Sequence, residues 1–528
     1  MDKVISGFLR ADGKKIVSDN NDNVLLRGWG LGNWLLCEGY MWLALGNENF
    51  DRPRRIERIV KELIGTKESE KFWQSFRDNY ITEKDIAHMK QLGYNSVRIP
   101  ISAALFIAEE PELIWKEEGF KRLDDCIGWC KKHDMYAFID LHGASGGQTG
   151  ANIDDSIDDI PRLFMDAEYF DKTIALWGRL AQIYKDEVAV GGYDLLNEPI
   201  RPQSGTLKSY DHLLPMLSEF YVKCIAEIRK YDKAHLISLE GHHWATSLDV
   251  FNQKYDDNYV IHFHRYANHP DKASFDEFLE ASEKWNVPLW LGETGENKHE
   301  WFSAYYKICE NYNIGYNLWP YKKMGRDNCP INIKAPEDWS SLLDYTVGAK
   351  KPTKVQALNF FNEYLENMKF DNCVKNEAIT NYTFRQAPFS LRATDFEEGE
   401  NANYFSGNPN NAEAFVGYKK GTGMLLREDR PAGEKEFAFD CQWDRFSLVL
   451  ALGEYASYSF NRATEVSITG EHLSGITLQV GEKRLTPELN KEGTEALFKF
   501  GGEIKETLIK ISGTNQNTPA TLTQIKFA

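Results

Sequence analysis

The chain has 528 residues, with 62 Lys and Arg against 79 Asp and Glu, for a formal charge of −17. Hydrophobic residues make up 42% and charged ones 27%, which excludes a disordered or fibrous chain. The acidic balance also argues against a nucleic-acid partner, because binding a phosphate backbone needs clustered Lys and Arg.

The length suits one large barrel plus an accessory module. No run approaches the roughly 20 apolar residues that cross a bilayer, so no membrane span is expected. The opening MDKVISGFLRADGKK lacks a basic-then-apolar leader pattern. A cytoplasmic protein is therefore expected, or a secreted one if a leader had been removed. Eight scattered cysteines, with Cys126 and Cys130 four apart on a helical pattern, read as reduced thiols rather than a redox pair or zinc knuckle.

Short apolar runs alternate with amphipathic stretches from about residue 24 to 368. The strand-like runs are 24–31, 94–100, 135–142, 192–199, 235–241, 259–264, 287–293 and 314–319. Between them, 81–93, 119–134 and 167–187 have helical periodicity, the last with Phe170, Ile174, Trp177 and Leu180 on one face, and 354–367 closes the series. Eight such strands predict a parallel sheet closed into a (β/α)8 TIM barrel. An open doubly wound sheet is the competitor, but no GxGxxG joins a strand to its helix.

After about residue 370 the runs 446–452, 455–460, 464–469, 475–480, 496–500 and 506–512 follow one another without helices. This texture predicts a C-terminal antiparallel β-sandwich. The expected organisation is a catalytic barrel with an N-terminal hairpin over 1–370, a linker over 371–388 and a sandwich over 389–528.

In such barrels the reactive groups sit where strands end. Glu198 (LLNEP) ends the fourth strand and Glu293 (LWLGETG) the seventh. A carboxyl pair across a barrel mouth suits glycosidic cleavage, with retention of configuration if the two lie about 5–5.5 Å apart. Arg98 ends the second strand and can hold one carboxylate ionised. Asn197 offers an amide to a sugar 2-hydroxyl, while His142, His264 and Tyr266 suit hydroxyls and carboxylates. Trp319 suits an apolar floor under a sugar ring. Trp34, His243 and Trp244 lie at or beside strand ends and are further subsite candidates. The acidic run 153–160 reads as a solvated loop.

The stretches LRGWGLGNWLLCEGYMW (26–42), VRIPI (97–101), DLHG (140–143), LNEP, HRY (264–266), LGETG (291–295) and Trp319 resemble glycoside hydrolase family 5, the cellulase-like retaining β-glycosidases. The resemblance implies that Glu198 is the acid/base and Glu293 the nucleophile. It further implies that Arg98, His142, Asn197, His264, Tyr266 and Trp319 shape the subsite of the reacting sugar. The opening segment is most similar to the exo-β-1,3-glucanase and β-glucosidase branches, in which the position of Glu38 contacts the terminal sugar. The glycine-rich run 142–152 is similar to their long third loop, which walls a cleft into a pocket. Cys37, Gly39 and the run 153–160 depart from that pattern, so the sugar stays open.

The expected function is thus release of terminal β-linked sugars, with a carbohydrate substrate and no metal or organic cofactor. Endo-β-1,4-glucanase, mannosidase, galactosidase and glycolipid-directed activities are the alternatives within the family. A metal-dependent hydrolase built on His262 and His264 leaves the glutamate pair unexplained, and so does a non-catalytic sugar-binding protein. In the sandwich, Tyr404, Tyr418 and Trp443 are candidates to face a glycan, against a purely structural role for that domain.

Overall fold

A computed structural model describes residues 3–205, 208–398, 403–407, 418–515 and 517–528. Part of the sandwich entrance at 391–405, residues 399–402, lies outside the described residues, as do Met1 and Asp2 of the opening segment. The chain divides into two compact units, one of 1–265, 280–294 and 315–375, the other of 266–279, 295–314 and 376–528.

The first unit is a closed parallel barrel. Its strands are β1 (Arg27–Gly30), β2 (Ser96–Ser102), β3 (Tyr136–Gly143), β4 (Val190–Asp194), β5 (Leu236–Glu240), β6 (Tyr259–Arg265), β7 (Leu289–Gly295) and β8 (Gly315–Trp319), and β8 pairs back onto β1. All but β1 and β6, whose Arg27 and Arg265 are half-buried, are buried throughout, as a sheet covered on both faces requires. The crossover helices include α1 (Pro53–Ile64), α2 (Thr66–Asn79), α3 (Glu83–Gln91), α4 (Glu117–Lys132), α5 (Ala167–Tyr184) and α6 (Leu214–Tyr231). A Thr82–Asp85 capping box starts α3. On α5 the buried face is Phe170, Thr173, Leu176, Trp177, Leu180 and Ala181, so the stripe turns slightly away from Ile174.

One crossover departs from the regular alternation. Between β5 and β6 the chain makes no right-handed helix; His243, Trp244 and Ala245 have φ of 54, 61 and 52° and form a single left-handed turn. β4 is also shorter than the sequence suggests, so Asn197 and Glu198 lie in the loop beyond it, with Glu198 at φ 42°. Such a backbone costs of order 1–3 kcal/mol and persists only where the surroundings impose it.

The second unit is built on one antiparallel sheet, with strands β9 (Phe389–Arg392), β10 (Leu425–Glu428), β11 (Phe446–Leu450), β12 (Tyr455–Glu471), β13 (Ile476–Val480), β14 (Lys483–Leu485), β15 (Glu495–Gly513) and β16 (Ala520–Phe527). The runs expected at 455–460 and 464–469 are a single 17-residue strand, and those at 496–500 and 506–512 a single 19-residue one. The two pair along their length with a register shift between Ala463 and Glu465. Such irregularities let a strand pass from one sandwich layer to the other without a turn. This architecture, a TIM barrel with a C-terminal β-sandwich, is the expected fold. The segment 371–388 is not bare linker: it carries a strand at Val374–Lys375 and a helix at Ala378–Thr383. Helix His299–Asn311 clusters with the second unit, where Ser303 donates to the carbonyl of Ser390 on β9 and Asn311 donates to Glu397.

Among the described residues no helix is long and apolar enough to cross a membrane. No disulfide joins any of the eight cysteines, all of which lie among the described residues, and seven are buried.

Candidate active site

Arg98 organises the mouth of the barrel. Fully buried on β2, its guanidinium donates to Asp194 Oδ2 (2.8 Å), Glu293 Oε2 (2.6 Å), Asn197 Oδ1 (2.8 Å) and Glu240 Oε1 (2.9 Å), with Asp140 Oδ1 at 3.2 Å. A planar fork with five N–H donors can satisfy so many acceptors; an ammonium cannot. Glu293 sits on β7 behind Gly292, where a Cβ would lie 2.0 Å from His262 Nε2. Only glycine lets the strand pass that ring.

Glu198 is held by its backbone as much as by its side chain. Its N–H donates to Glu240 Oε2 at 2.7 Å, and Gln148 ties the same loop to β3 by donating to the carbonyls of His142 (2.8 Å) and Asn197 (2.9 Å). His264 Nδ1 lies 2.7 Å from Glu198 Oε1 and 3.8 Å from Glu293 Oε1. Donor atoms of Glu198, His264 and Glu293 all lie within 4.8 Å of one another. Two side chains 95 positions apart in sequence (293 − 198) therefore share one small space.

Burial and neighbouring charges shift Glu198 and His264. Burial pushes the Glu198 carboxyl above its usual range; the His264 hydrogen bond opposes this, and the charges of Glu293 and Glu240 add to it. His264 is raised well above an ordinary imidazole despite burial, because Glu240, Glu293 and Glu198 surround it. A His262 that donates through Nδ1 to Asp194 Oδ1 (3.0 Å) presents its Nε2 lone pair to His264 Nε2 at 3.0 Å. His264 then donates from both nitrogens, one toward His262 and one toward Glu198. An imidazolium has no lone pair for a metal, so the donor groups Glu198–His264–Glu293 and Glu240–His262–His264 suit proton handling better than ligation.

The sugar-facing candidates gather round this pair. His142 is hydrogen-bonded through Nδ1 to Asp140 Oδ2 (2.8 Å), lies 3.3 Å from Asn197 Nδ2, and is lifted to about 9, Asp140 outweighing burial. Trp319 stacks on the His142 ring (5.2 Å, 11°) and donates to the Tyr40 hydroxyl at 2.9 Å. A Cβ on Gly30 would lie 2.3 Å from Trp319 Cε3, so β1 must carry glycine beneath this indole. Glu38 Oε1 is buried without a hydrogen-bond partner, 3.9 Å from His142 Nε2. Burial lifts Glu38 to about 8, His142 opposing and Glu293 and Glu198 adding.

A carboxyl raised from its ordinary value to about 8 costs stability progressively as pH climbs through that interval, and costs nothing further beyond it. Glu38→Gln removes this cost. The variant is expected to match the parent near pH 4, and to exceed it by about 3–5 kcal/mol at pH 8. Thermal melts across that range check it; an equal offset at both ends would rule out the buried-carboxyl explanation.

The remaining candidates make other contacts. The Trp34 indole donates to the carbonyl of Arg77 (2.9 Å) and packs on Trp129, so it serves the wall between β1 and α2 rather than the carboxyl pair. His243 Nε2 pairs with Asp211 Oδ1 (2.7 Å), and Trp244 is half-buried beside it in the left-handed turn. Tyr266 opens the second unit, where its ring stacks on Phe439 (4.7 Å, 24°). In the sandwich, Tyr418 and Trp443 are buried and directed at Asp395, so neither ring faces a glycan; Tyr404 is half-buried against Phe396. The acidic run 153–160 is not a solvated loop. Asp154 caps backbone N–H groups of Thr149 and Ser156, while Asp155 and Asp159 pair with Arg54 and Arg52, joining the first and third loops.

Sequence reasoning missed Asp140, Asp194, Glu240 and Gln148. Three of them carried a signal: an acid inside an apolar strand run, in IDLH, YDLL and SLEG. Such acids stay inside only when paired.

The Cellulase (glycosyl hydrolase family 5) model matches residues 60–325. A β-xylosidase of Phanerodontia chrysosporium is 31% identical over 299 residues, which cover 56% of this chain and 59% of that relative. A glucan 1,3-β-glucosidase of Candida oleophila is 27% identical over 368 residues, 63% of this chain and 81% of the relative. Endoglucanase C of Acetivibrio thermocellus is 24% identical over 311 residues, 47% of this chain and 85% of the relative. The chain thus spans less than two thirds of the xylosidase it matches. A family model that takes in half of the chain, on the barrel that carries the carboxyl cluster, makes this protein a member of glycosyl hydrolase family 5 and an O-glycosyl hydrolase.

Proposed function

We propose that the enzyme removes terminal β-linked sugars with retention of configuration, Glu293 acting as nucleophile and Glu198 as acid/base. The observation that supports this reading is that one carboxylate oxygen of Glu198 and one of Glu293 lie within 4.8 Å of each other and of a His264 nitrogen, a spacing on the short side that a retaining pair needs. Glu293, held by the Arg98 guanidinium at 2.6 Å, attacks the anomeric carbon. Glu198, whose burial favours the protonated form, gives its proton to the leaving oxygen, and then takes one from the water that hydrolyses the glycosyl-enzyme. Asn197, fixed by Arg98, offers its amide N–H to the 2-hydroxyl, and Trp319 lies under the ring.

Terminal action is favoured by Glu38, a buried carboxyl 3.9 Å from His142 whose Oε1 has no hydrogen-bond partner and could accept from a terminal hydroxyl. The loops after β1 and β3, bound together through Arg52 and Arg54, support the same reading. The test is the product pattern from laminari- and cello-oligosaccharides, run beside a panel of aryl β-glycosides including xyloside. Monosaccharide alone at early times is the expected result. A ladder of shorter oligosaccharides would replace this reading with an endo-acting one.

A further inference from the structure

We propose that Asp211, His242 and His243 form a binding site for a divalent transition-metal ion, zinc foremost, that clamps the loops after β4 and β5 together. Asp211 opens a short turn (Asp211–Leu213) at the end of the β4 loop, and the two histidines follow β5 directly. One donor atom from each of the three lies within 4.8 Å of the others, and His243 Nε2 is already 2.7 Å from Asp211 Oδ1. His242 is only 2% exposed, and its Nδ1 is buried without a hydrogen-bond partner. A buried polar nitrogen without a partner is costly, and a cation would use its lone pair.

The backbone explains how adjacent histidines come to act together. In an extended strand neighbouring side chains point to opposite faces. Here the left-handed turn brings the two imidazoles side by side, with ring centroids 4.0 Å apart. Two imidazoles and one carboxylate suit zinc, at about 2.0–2.2 Å per bond, far better than calcium or magnesium, which require oxygen ligands. Asp211 and His243 are partly exposed, which leaves a route for the ion and a solvent ligand. The site is separate from the carboxyl pair yet mechanically tied to it: the His243 N–H donates to the carbonyl of Ile200 at 2.8 Å, two residues beyond Glu198.

The test uses the full chain, stripped with chelator and titrated with Zn²⁺ by calorimetry, with Co²⁺ absorption as a second readout. One tight equivalent is expected, with cobalt bands typical of mixed nitrogen and oxygen ligands. His243→Asn keeps a residue that tolerates positive φ, and Asp211→Asn keeps the shape of the carboxylate; each is expected to weaken binding at least tenfold while melting like the parent. Glu198→Gln and Glu293→Gln should bind the ion unchanged. Absence of uptake would overturn the proposal. So would uptake that survives in both the His243→Asn and Asp211→Asn variants, or that disappears in Glu293→Gln, since the ion would then sit among the catalytic carboxylates.

Discussion

Glu293→Gln is expected to lower turnover of an aryl β-glycoside by about 10⁴-fold or more, because the carboxylate proposed to form the covalent intermediate is gone. Glu198→Gln should cost about 10²–10⁴-fold with a poor leaving group, and far less with a dinitrophenolate that leaves without a proton. Azide separates the two roles by stereochemistry. Entering in place of the missing carboxylate in Glu293→Ala, it attacks from that face and gives the inverted glycosyl azide. In Glu198→Ala it intercepts the glycosyl-enzyme and gives the retained one. The reverse pattern would exchange the assignments, and full activity in either Gln variant would remove the double-displacement reading. The pH profile carries the same information. Glu198 must be protonated to act as acid, so kcat/KM falls as pH rises through its elevated pKa. That limb should be absent from Glu198→Gln assayed with the activated substrate.

Arg98→Lys is the second large effect. The substitution keeps a positive charge but cannot reach Asp194, Glu293, Glu240 and Asn197 together. Breaking a buried ion pair by removing one partner costs about 3–5 kcal/mol, mostly the penalty of carboxylates left without compensation. The variant should therefore lose stability on that scale in denaturant melts and retain little activity. Asp194 is held well below the usual carboxylate range by His262 and Arg98, against the effect of burial. Adding Asp194→Asn to Arg98→Lys should then recover part of the stability, since one stranded charge is gone, without recovering turnover. Additive losses in the double variant would show that the two residues do not share one network.

Much of this was legible in one dimension. Buried parallel strands read as apolar runs wherever they occur, so all eight barrel strands stand within a few residues of their sequence positions, and with them Glu293, His142 and Trp319 at the strand ends. In the sandwich the sequence reading covers β11, β12, β13 and β15 but not β9, β10, β14 and β16, and it splits β15 at Gly501 and Gly502, which lie within one continuous strand. Tyr418 and Trp443 show the matching limit for side chains. An aromatic residue has the same composition signal whether it faces a glycan or fills a core.

The sequence by itself determined the period of the elements and the chemical type of each group at a strand end, since both depend on neighbours a few positions away. Only the tertiary structure decided which charges meet. Arg98, Asp140, Asp194, Asn197, Glu240 and Glu293 come from five strands or the loops just beyond them, and their pairing depends on barrel closure. The same holds for proton affinities: Glu198, Glu38 and His142 depart from their ordinary values through burial and charges contributed by distant segments. Coulombic and desolvation energies follow distance in space, which a linear order of residues does not encode.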